Sequence, residues 1–524
     1  MAREDTTRDV FSLEKILQSH GQGTAFLLPE REGCAGRSVS YGELVASVRA
    51  YARGSALRFR AALASDNPAD RFVGILAERG VEPVAAFLGL MEAGFCPSLM
   101  EMRAPLPVLA GRMASVGMKM LLTDMRQYSP DCFPPGTRLA SLEECREAGH
   151  SNPKKRTCAE SSAGKRALRL KHAAPYASAP AMLLFTSGST GESKGVVLSR
   201  ANLICNAHGV TAMTGLTSRD VLLHVMPLHH TNGINNQIIA PLLAGAAVIL
   251  ADRFRPEEAP RLIDRYLATY MTGTPTHYSR ILPFVQRPGA RTALRSLRFL
   301  RCGSAPISRE LHLALEAAFG VDLLVSYGLS EATCTTAMNP PGGRRIGTVG
   351  RVLEGQEAAL FRPGTWEAAG RGEEGEICIR GGSVMLGYAG EAQDAERQGG
   401  WLRTGDLGIF DADGFLSVTG RIKDVILRGG ENLSPALIEG ILLGQEAVRD
   451  CCVVGLPSAD LGEEPAAFVV LREGFSPAVE QDLRTALAEA LPASHVPRQL
   501  RFVEELPRNA LGKIERYLLR QSVV

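Results

Sequence analysis

Apolar runs alternate with amphipathic stretches through the first 150 residues. Phe72-Val73-Gly74-Ile75-Leu76 is an uninterrupted apolar run of strand length, and Pro83 to Ala93 follows with apolar positions at helical spacing. This β/α rhythm predicts a mostly parallel sheet covered by helices. Residues 151–178 break it: Lys154-Lys155-Arg156 and Ser161-Ser162-Ala163-Gly164-Lys165-Arg166 read as a solvated connector. The β/α rhythm resumes from Ala181 to about Asn339. From Gly343 to Gly420 the texture changes to short runs between glycine turns, such as Gly375-Glu376-Ile377-Cys378-Ile379-Arg380 and Asp413-Gly414-Phe415-Leu416-Ser417-Val418, which predicts a small antiparallel subdomain. Beyond Gly420, strand and helix patterns mix. A helix is expected over Val479–Leu491 and a strand over Gln499–Val503. No internal repeat is present.

Composition narrows the class. A chain of 524 residues exceeds one core and fills several domains. Its 45% apolar and 22% charged residues are ordinary for a globular protein. A net charge of +2 lacks the basic footprint of bulk nucleic-acid binding, and the Lys/Arg-rich connector has no interleaved aromatic residues. Eleven cysteines occur without C-x-x-C pairs, which argues against structural zinc and for a reducing, cytoplasmic setting. Cys451-Cys452 precede a Val-Val-Gly run and read as packed thiols. Met1 to Asp5 lead into no apolar leader segment, and the apolar stretch near Pro241 to Ala251 is too short to span a bilayer.

The chemistry concentrates in a few segments. The apolar run Met182-Leu183-Leu184-Phe185 breaks into Thr186-Ser187-Gly188-Ser189-Thr190-Gly191-Glu192-Ser193-Lys194-Gly195. Glycines let backbone N–H groups close on an anion, hydroxyls add donors, and the lysine adds a point charge. It is not a Walker A loop, because Lys194 is followed by Gly195 rather than Ser or Thr. Taken alone, the stretch reads equally as a surface turn. Tyr327-Gly328-Leu329-Ser330-Glu331 follows the run Leu323-Leu324-Val325. It puts a ring, a hydroxyl and a carboxylate at a strand end, where open α/β sheets bind ligands. Arg403-Thr404-Gly405-Asp406 places an acid after a tight turn, suited to a ribose diol or simply to a β-turn. Gly420-Arg421-Ile422-Lys423-Asp424 lies at the texture change, Gly512-Lys513-Ile514 near the last residues, and Met226-Pro227-Leu228-His229-His230 ends another apolar run. Each has a bland alternative: a charged linker, a solvated lysine, packed histidines.

Together and in this order, these segments resemble the acyl-adenylate-forming (AMP-dependent synthetase/ligase) superfamily, which includes acyl- and aryl-CoA synthetases. The resemblance runs from about Ser38-Val39-Ser40-Tyr41 to Lys513. It implies an α/β fold. A large N-terminal domain (1–420) would hold two layered β/α subdomains and a small β-barrel-like one. A hinge (421–423) would join it to a small mobile α+β domain (424–524). It also implies a two-step reaction: a carboxylate attacks the α-phosphate of ATP to give acyl-AMP and pyrophosphate, then a thiol takes the acyl group. By the same resemblance Thr186, Ser187, Gly188, Ser189, Thr190, Gly191 and Lys194 hold phosphates and Glu331 partners Mg²⁺. Gly303, Ser304, Ala305, Pro306, Tyr327, Gly328 and Ser330 wall the nucleotide, with Asp406 and Arg421 at the ribose. Lys513 bridges the acyl carboxylate and the α-phosphate, and Lys423 is the hinge. His230, Thr231, Asn232, Asn235, Gly303 and Gly328 form the acyl pocket, and Gly429, Gly430 and Glu431 face the CoA side.

The expected ligands are a small carboxylic acid, ATP, Mg²⁺ and CoA, with the phosphopantetheine of an acyl carrier protein as the alternative acceptor. A monomer or homodimer without nucleic acid or a transmembrane segment is expected. A non-catalytic homologue would lack Lys194, Glu331, Asp406 or Lys513, and all four are present. The chain departs from the family pattern in places. Ser193 replaces a usual proline, Ser330 a threonine, Val325 a polar residue near adenine, and Ala493-Ser494-His495-Val496-Pro497 a basic motif on the CoA side. Thr231, Asn232, Asn235 and Asn236 read at least as well as caps of a helix start as they do as pocket residues, and Arg301 reads as an ordinary surface arginine, with pairing to a second carboxylate of a dicarboxylic acid as the alternative.

Overall fold

The computed structural model describes residues 12–30, 35–125, 127–150, 176–187, 193–287, 290–390, 397–429, 431–458, 460–508 and 513–523. Most of the connector 151–178 thus lies outside the described residues, as do Gly188, Ser189, Thr190, Gly191 and Gly430. The fold is mixed α/β, with a large N-terminal domain and a small C-terminal one.

A nine-stranded sheet forms the centre of the large domain. Its order is Arg351–Val352, Ala337–Met338, Leu323–Tyr327, Phe299–Cys302, Tyr270–Gly273, Val221–His224, Ala247–Ile249, Thr24–Leu28 and Arg37–Ser40. The strands from Leu323–Tyr327 to Thr24–Leu28 run parallel, and the edge strands are antiparallel. Its middle strands are covered on both faces, so they read as continuous apolar runs. A second, four-stranded parallel sheet orders Cys96–Leu99, Phe72–Leu76, Met120–Thr123 and Arg138–Ala140. Its helix Val81–Glu92 begins two residues before the expected start, and ten of its residues are buried.

The segment from Ala181 departs from the β/α reading. Pro180–Ser187 and Ser193–Ser199 form an antiparallel hairpin, and Gly387–Tyr388 pairs on its outer edge. The alternation of short apolar runs hid this, because period alone does not separate a hairpin from a βα unit when both strands are buried. Ser199 then caps the helix Arg200–Thr214 in a reciprocal box with Asn202. Asn202 Nδ2 also donates to the carbonyls of Gly382 (2.8 Å) and Val384 (2.9 Å), tying the hairpin to the approach of its third strand.

Residues Gln356–Phe361, Gly375–Gly381, Arg397–Gln398, Trp401–Phe410 and Leu416–Arg421 make the expected antiparallel sheet. In the C-terminal domain the strands Ile426–Arg428, Glu431–Leu433, Val448–Ser458, Gly462–Leu471 and Gln499–Phe502 form one sheet. The helices Pro435–Leu443 and Glu480–Ala490 cover it with Ile438, Leu442, Leu483 and Leu487. Cys451 and Cys452 are buried in its longest strand, where burial raises both thiols, Cys452 to about 12; they are packed, not reactive. Ser434 Oγ donates to Thr419 O at 3.1 Å, and Arg472 pairs with Glu310 at 2.7 Å, joining the two domains.

Candidate active site

The hairpin places Thr186 directly opposite Lys194, and Thr186 Oγ1 donates to Lys194 O at 3.5 Å. Thr186, Ser187 and Lys194 thus sit on the two arms of one hairpin. Lys194 Nζ lies 4.5 Å from the ring centroid of Tyr388, whose strand pairs with Val196 two residues on. Tyr388 Oη in turn donates to Glu331 Oε1 at 3.1 Å. Tyr388 therefore joins the loop lysine to the strand-end carboxylate. It was not legible from sequence, because Gly387-Tyr388 stands in an unremarkable loop and only strand pairing carries it there.

Glu331 occupies the 3₁₀ turn Ser330–Ala332 after the strand Leu323–Tyr327, and its backbone carbonyl accepts from Met385 N. The turn ends at Thr333, a β-branched residue at φ 68° and ψ −46°. Such a conformation costs of order 1–3 kcal/mol and persists only where surroundings impose it. Here Thr333 is fully buried and its Oγ1 donates to Ser383 O at 2.6 Å. Ser304, in the loop Gly303-Ser304-Ala305-Pro306, is a second non-glycine residue at positive φ, 68°. Both flank the strand ends that the sequence marked for ligand.

Asp406 is not in a turn, as its Thr-Gly-Asp context suggested. It lies inside the strand Trp401–Phe410, where Gly405 at φ 70° makes a bulge. The bulge aims Asp406 inward, 5% exposed and directly across the ladder from Arg421. Arg421 Nε donates to Asp406 Oδ1, and Tyr327 Oη donates to Oδ2 at 2.7 Å. Burial and then the carboxylate hold the Tyr327 phenol well above its ordinary range, so it stays a donor.

Lys513 comes to this pair from the C-terminal domain. The residue keeps exposed surface, yet its ammonium is desolvated by the protein around it. That desolvation, then Arg421 and Lys423, lowers its pKa to about 8 against the opposing pull of Asp406 and Asp424. Lys423, in the 3₁₀ turn Ile422–Asp424, is lowered by burial and Arg421 and feels both Asp406 and Glu331. Three cations from two domains thus gather around Asp406, with Asp424 and Glu331 as further acids within electrostatic reach.

On the other side His229 and His230 pack ring to ring at 4.2 Å, and the Nε2 of each is enclosed without a hydrogen-bond partner among the described residues. Burial, then His229 and Arg112, holds His230 well below its usual range, so it is neutral. Asn232, Asn235 and Asn236 are not helix caps. They lie inside a π-helical segment, Asn232–Ile239, and Thr231 makes no side-chain cap bond. The wide turn presents all three amides sideways: Asn232 Nδ2 to Ser304 Oγ (3.3 Å), Asn235 Nδ2 to Asn206 Oδ1 (3.1 Å) and Asn236 Nδ2 to Thr335 Oγ1 (3.0 Å). Arg301 is not a surface residue either: it is 2% exposed on the strand Phe299–Cys302. Gly303 and Gly328 serve close approach. A Cβ on Gly328 would stand 1.8 Å from Cys334 O, and one on Gly303 2.7 Å from Ser326 Oγ.

On the CoA side Gly429, at φ 57°, turns the hairpin between Ile426–Arg428 and Glu431–Leu433, and Glu431 is exposed. No group of three or more metal-ligating side chains is assembled among the described residues, and no described helix is long and apolar enough to cross a membrane.

Known proteins resemble this chain in sequence and in fold. The family model for AMP-binding enzyme matches residues 14–389, and that for the AMP-binding enzyme C-terminal domain matches 437–513. The sulfoacetate–CoA ligase of Cupriavidus necator is 38% identical over 353 residues, 66% of this chain and 67% of that protein. The oxalate–CoA ligase of Arabidopsis thaliana is 37% identical over 349 residues, 65% of this chain and 67% of that protein. ATP-bound MatB from Rhodopseudomonas palustris superposes with a TM-score of 0.82 at 28% identity, covering 98% of each chain.

Proposed function

The chain belongs to the AMP-binding enzyme family, within the acyl-adenylate-forming superfamily, and we propose that it is an ATP-dependent carboxylate–CoA ligase. The carrying observation is the convergence of Lys513 from one domain with the Asp406–Arg421 pair of the other. Joining a carboxylate to a polyphosphate brings two anions together, so cations must neutralise charge and fix alignment.

In this reading Thr186, Ser187 and Lys194, with Gly188, Ser189, Thr190 and Gly191 of the same sequence run, hold the β- and γ-phosphates. Asp406 accepts the ribose hydroxyls, braced by Tyr327 and Arg421. Gly303 to Pro306 and Tyr327 to Ser330 enclose the base. His230, neutral and with a free Nε2, meets the acyl carboxylate. Lys513 stabilises the charge that builds on the α-phosphate as the carboxylate attacks and pyrophosphate leaves. Magnesium, arriving with the nucleotide, would neutralise phosphate charge. Glu331 fits it as a single carboxylate beside the phosphate hairpin, since Mg²⁺ takes one or two protein carboxylates plus substrate oxygens. The second step needs Lys513 withdrawn, and Lys423 is the pivot for that rotation. The thiol of CoA then attacks the acyl carbon, forming the thioester and releasing AMP, along a path past Gly429, Gly430 and Glu431.

CoA is preferred over a carrier protein as acceptor because the relatives above are named CoA ligases. Those names, sulfoacetate and oxalate, also favour a polar acid. The test is pyrophosphate release from ATP over a panel of acids, followed by thioester formation on adding CoA. Release of pyrophosphate without thioester would exclude CoA as acceptor, and no release with any acid would exclude the ligase reading.

A further inference from the structure

Arg301 is a buried guanidinium without a counter-ion among the described residues. Its side chain makes one hydrogen bond, from Nη2 to Thr335 Oγ1, and its Nε is enclosed with no partner. The groups that favour its charge are the Cys334 thiol and the Tyr270 and Tyr278 phenols; no described carboxylate contributes. Burying an arginine in this way is costly, and native proteins pair or hydrogen-bond such a group when it is buried. Burial accordingly lowers its pKa.

Its neighbours on the sheet are also short of partners among the described residues. Arg301 stands across the ladder from Thr272, whose Oγ1 is likewise enclosed and unpartnered, as is the Tyr270 hydroxyl two residues back on the same face. From Arg301 a polar line runs through Thr335 to Asn236, from Asn236 Nδ2 to Asn232 Oδ1 (3.4 Å), and from Asn232 to Ser304 in the nucleotide loop. One end of the line therefore lies where the acid is activated and the other at an unpaired cation. A hydrocarbon chain laid along it would strand these polar groups. A short acid with an oxyanion at its far end would satisfy them, since the guanidinium fork accepts a carboxylate or sulfonate through two bonds.

We propose that Arg301 is the specificity residue that receives a second anionic group of the acid, so that the enzyme activates short acids carrying two negative charges. The assignment rests on the ligase reading above. The test measures kcat/KM for pyrophosphate release with malonate, succinate and sulfoacetate, each against propionate and butyrate, and against octanoate and benzoate. The expected preference for a dianionic acid over a monocarboxylate of similar length is about 10²-fold or more. Malonate or succinate ahead of sulfoacetate identifies a carboxylate partner, and the reverse order a sulfonate. In Arg301→Met that preference ratio should collapse by about 10²-fold, and Arg301→Lys should recover part of it. ATP affinity and thermal melt should stay at the wild-type values.

A wild-type preference for neutral-tailed acids overturns the assignment. So does an Arg301→Met enzyme, folded and ATP-binding, that loses both acid classes equally. If that variant does not fold, the wild-type order and Arg301→Lys decide. Pyrophosphate from neutral-tailed acids alone rejects Arg301 as an anion receptor while leaving the ligase reading intact. No pyrophosphate from any acid rejects both.

Discussion

Tyr388 donates its hydroxyl to Glu331 Oε1 at 3.1 Å while its ring lies 4.5 Å beneath the Lys194 ammonium. One side chain thus couples the two charged groups assigned to the phosphates and the magnesium. The two contacts separate by mutation. Tyr388→Phe keeps the ring under Lys194 and frees Glu331, while Tyr388→Leu removes both. The net value of such a hydrogen bond is about 1 kcal/mol, so Tyr388→Phe should raise KM for MgATP roughly 3- to 10-fold. Tyr388→Leu should raise it further. Steady-state kinetics of pyrophosphate release check the order, and a KM unmoved in both variants would remove Tyr388 from the site.

Asp406 and Arg421 form a cross-strand pair with the acid 5% exposed. Asp406→Ala should abolish productive ATP binding and also destabilise the fold, because it leaves Arg421 and the Tyr327 hydroxyl without their shared acceptor. Breaking a buried pair from one side costs about 3 kcal/mol. The expected signature is a lowered melting temperature together with lost nucleotide binding by calorimetry. A melt identical to wild type would show the pair to be energetically idle.

Lys513 sets a pH limit. Its pKa of about 8 means that its charge is present below that pH and lost above it. The kcat/KM for adenylation, which reports the free enzyme, should fall as pH rises through about 8, well below an ordinary lysine. The stability sign is opposite. Between about 8 and the ordinary lysine range the unfolded chain binds a proton that the folded one does not, so stability rises with pH there. Lys513→Gln should erase the descending limb in residual adenylation. A limb that persists in the variant would belong to another group.

Arg472 and Glu310 bridge the domains in the orientation that brings Lys513 to Asp406. The pair is surface-exposed, so its worth is under about 1 kcal/mol. Glu310→Lys should therefore slow pyrophosphate release no more than about 5-fold and leave thioester formation from supplied acyl-AMP unslowed. Adding Arg472→Glu should restore the first rate. Equal slowing of both half-reactions would deny the bridge a role in domain orientation.

Much of this site was legible because its chemistry is local in sequence. The Thr186 to Lys194 stretch, Glu331 at a strand end, Asp406 and the late Lys513 each sit in a short run of distinctive composition. What escaped depends on pairing across the fold. The hairpin was read as a βα unit because buried strands of either kind are equally apolar. Asp406 reads as an acid just after a tight turn because Thr-Gly-Asp is turn-like, whereas Gly405 instead bulges a long strand. Tyr388 reaches Glu331 only through its ladder with Val196. Arg301 reads first as a surface residue and only second as a partner for another carboxylate, because arginine is rarely this buried and nothing in Leu300-Arg301-Cys302 signals its burial. The asparagines were half-read as caps because a π-helix has no simple sequence period.

Lys423 sits in the short 3₁₀ turn where one sheet ends and the next begins. Lys423→Pro fixes φ near −65° and should trap one orientation. If the adenylating one is trapped, acyl-AMP forms and thioester does not. Wild-type rates in both half-reactions would show that residue 423 is not the pivot, provided a thermal melt shows the variant folded.

The central claim is that Lys513 acts in the first half-reaction only. The direct measurement compares Lys513→Ala with wild type in two assays: pyrophosphate release from ATP with the preferred acid, and thioester formation from preformed acyl-AMP and CoA. The account predicts a loss of roughly 10²–10³-fold in the first and a near-wild-type rate in the second. Equal loss in both assays, or pyrophosphate release at the wild-type rate, would contradict it.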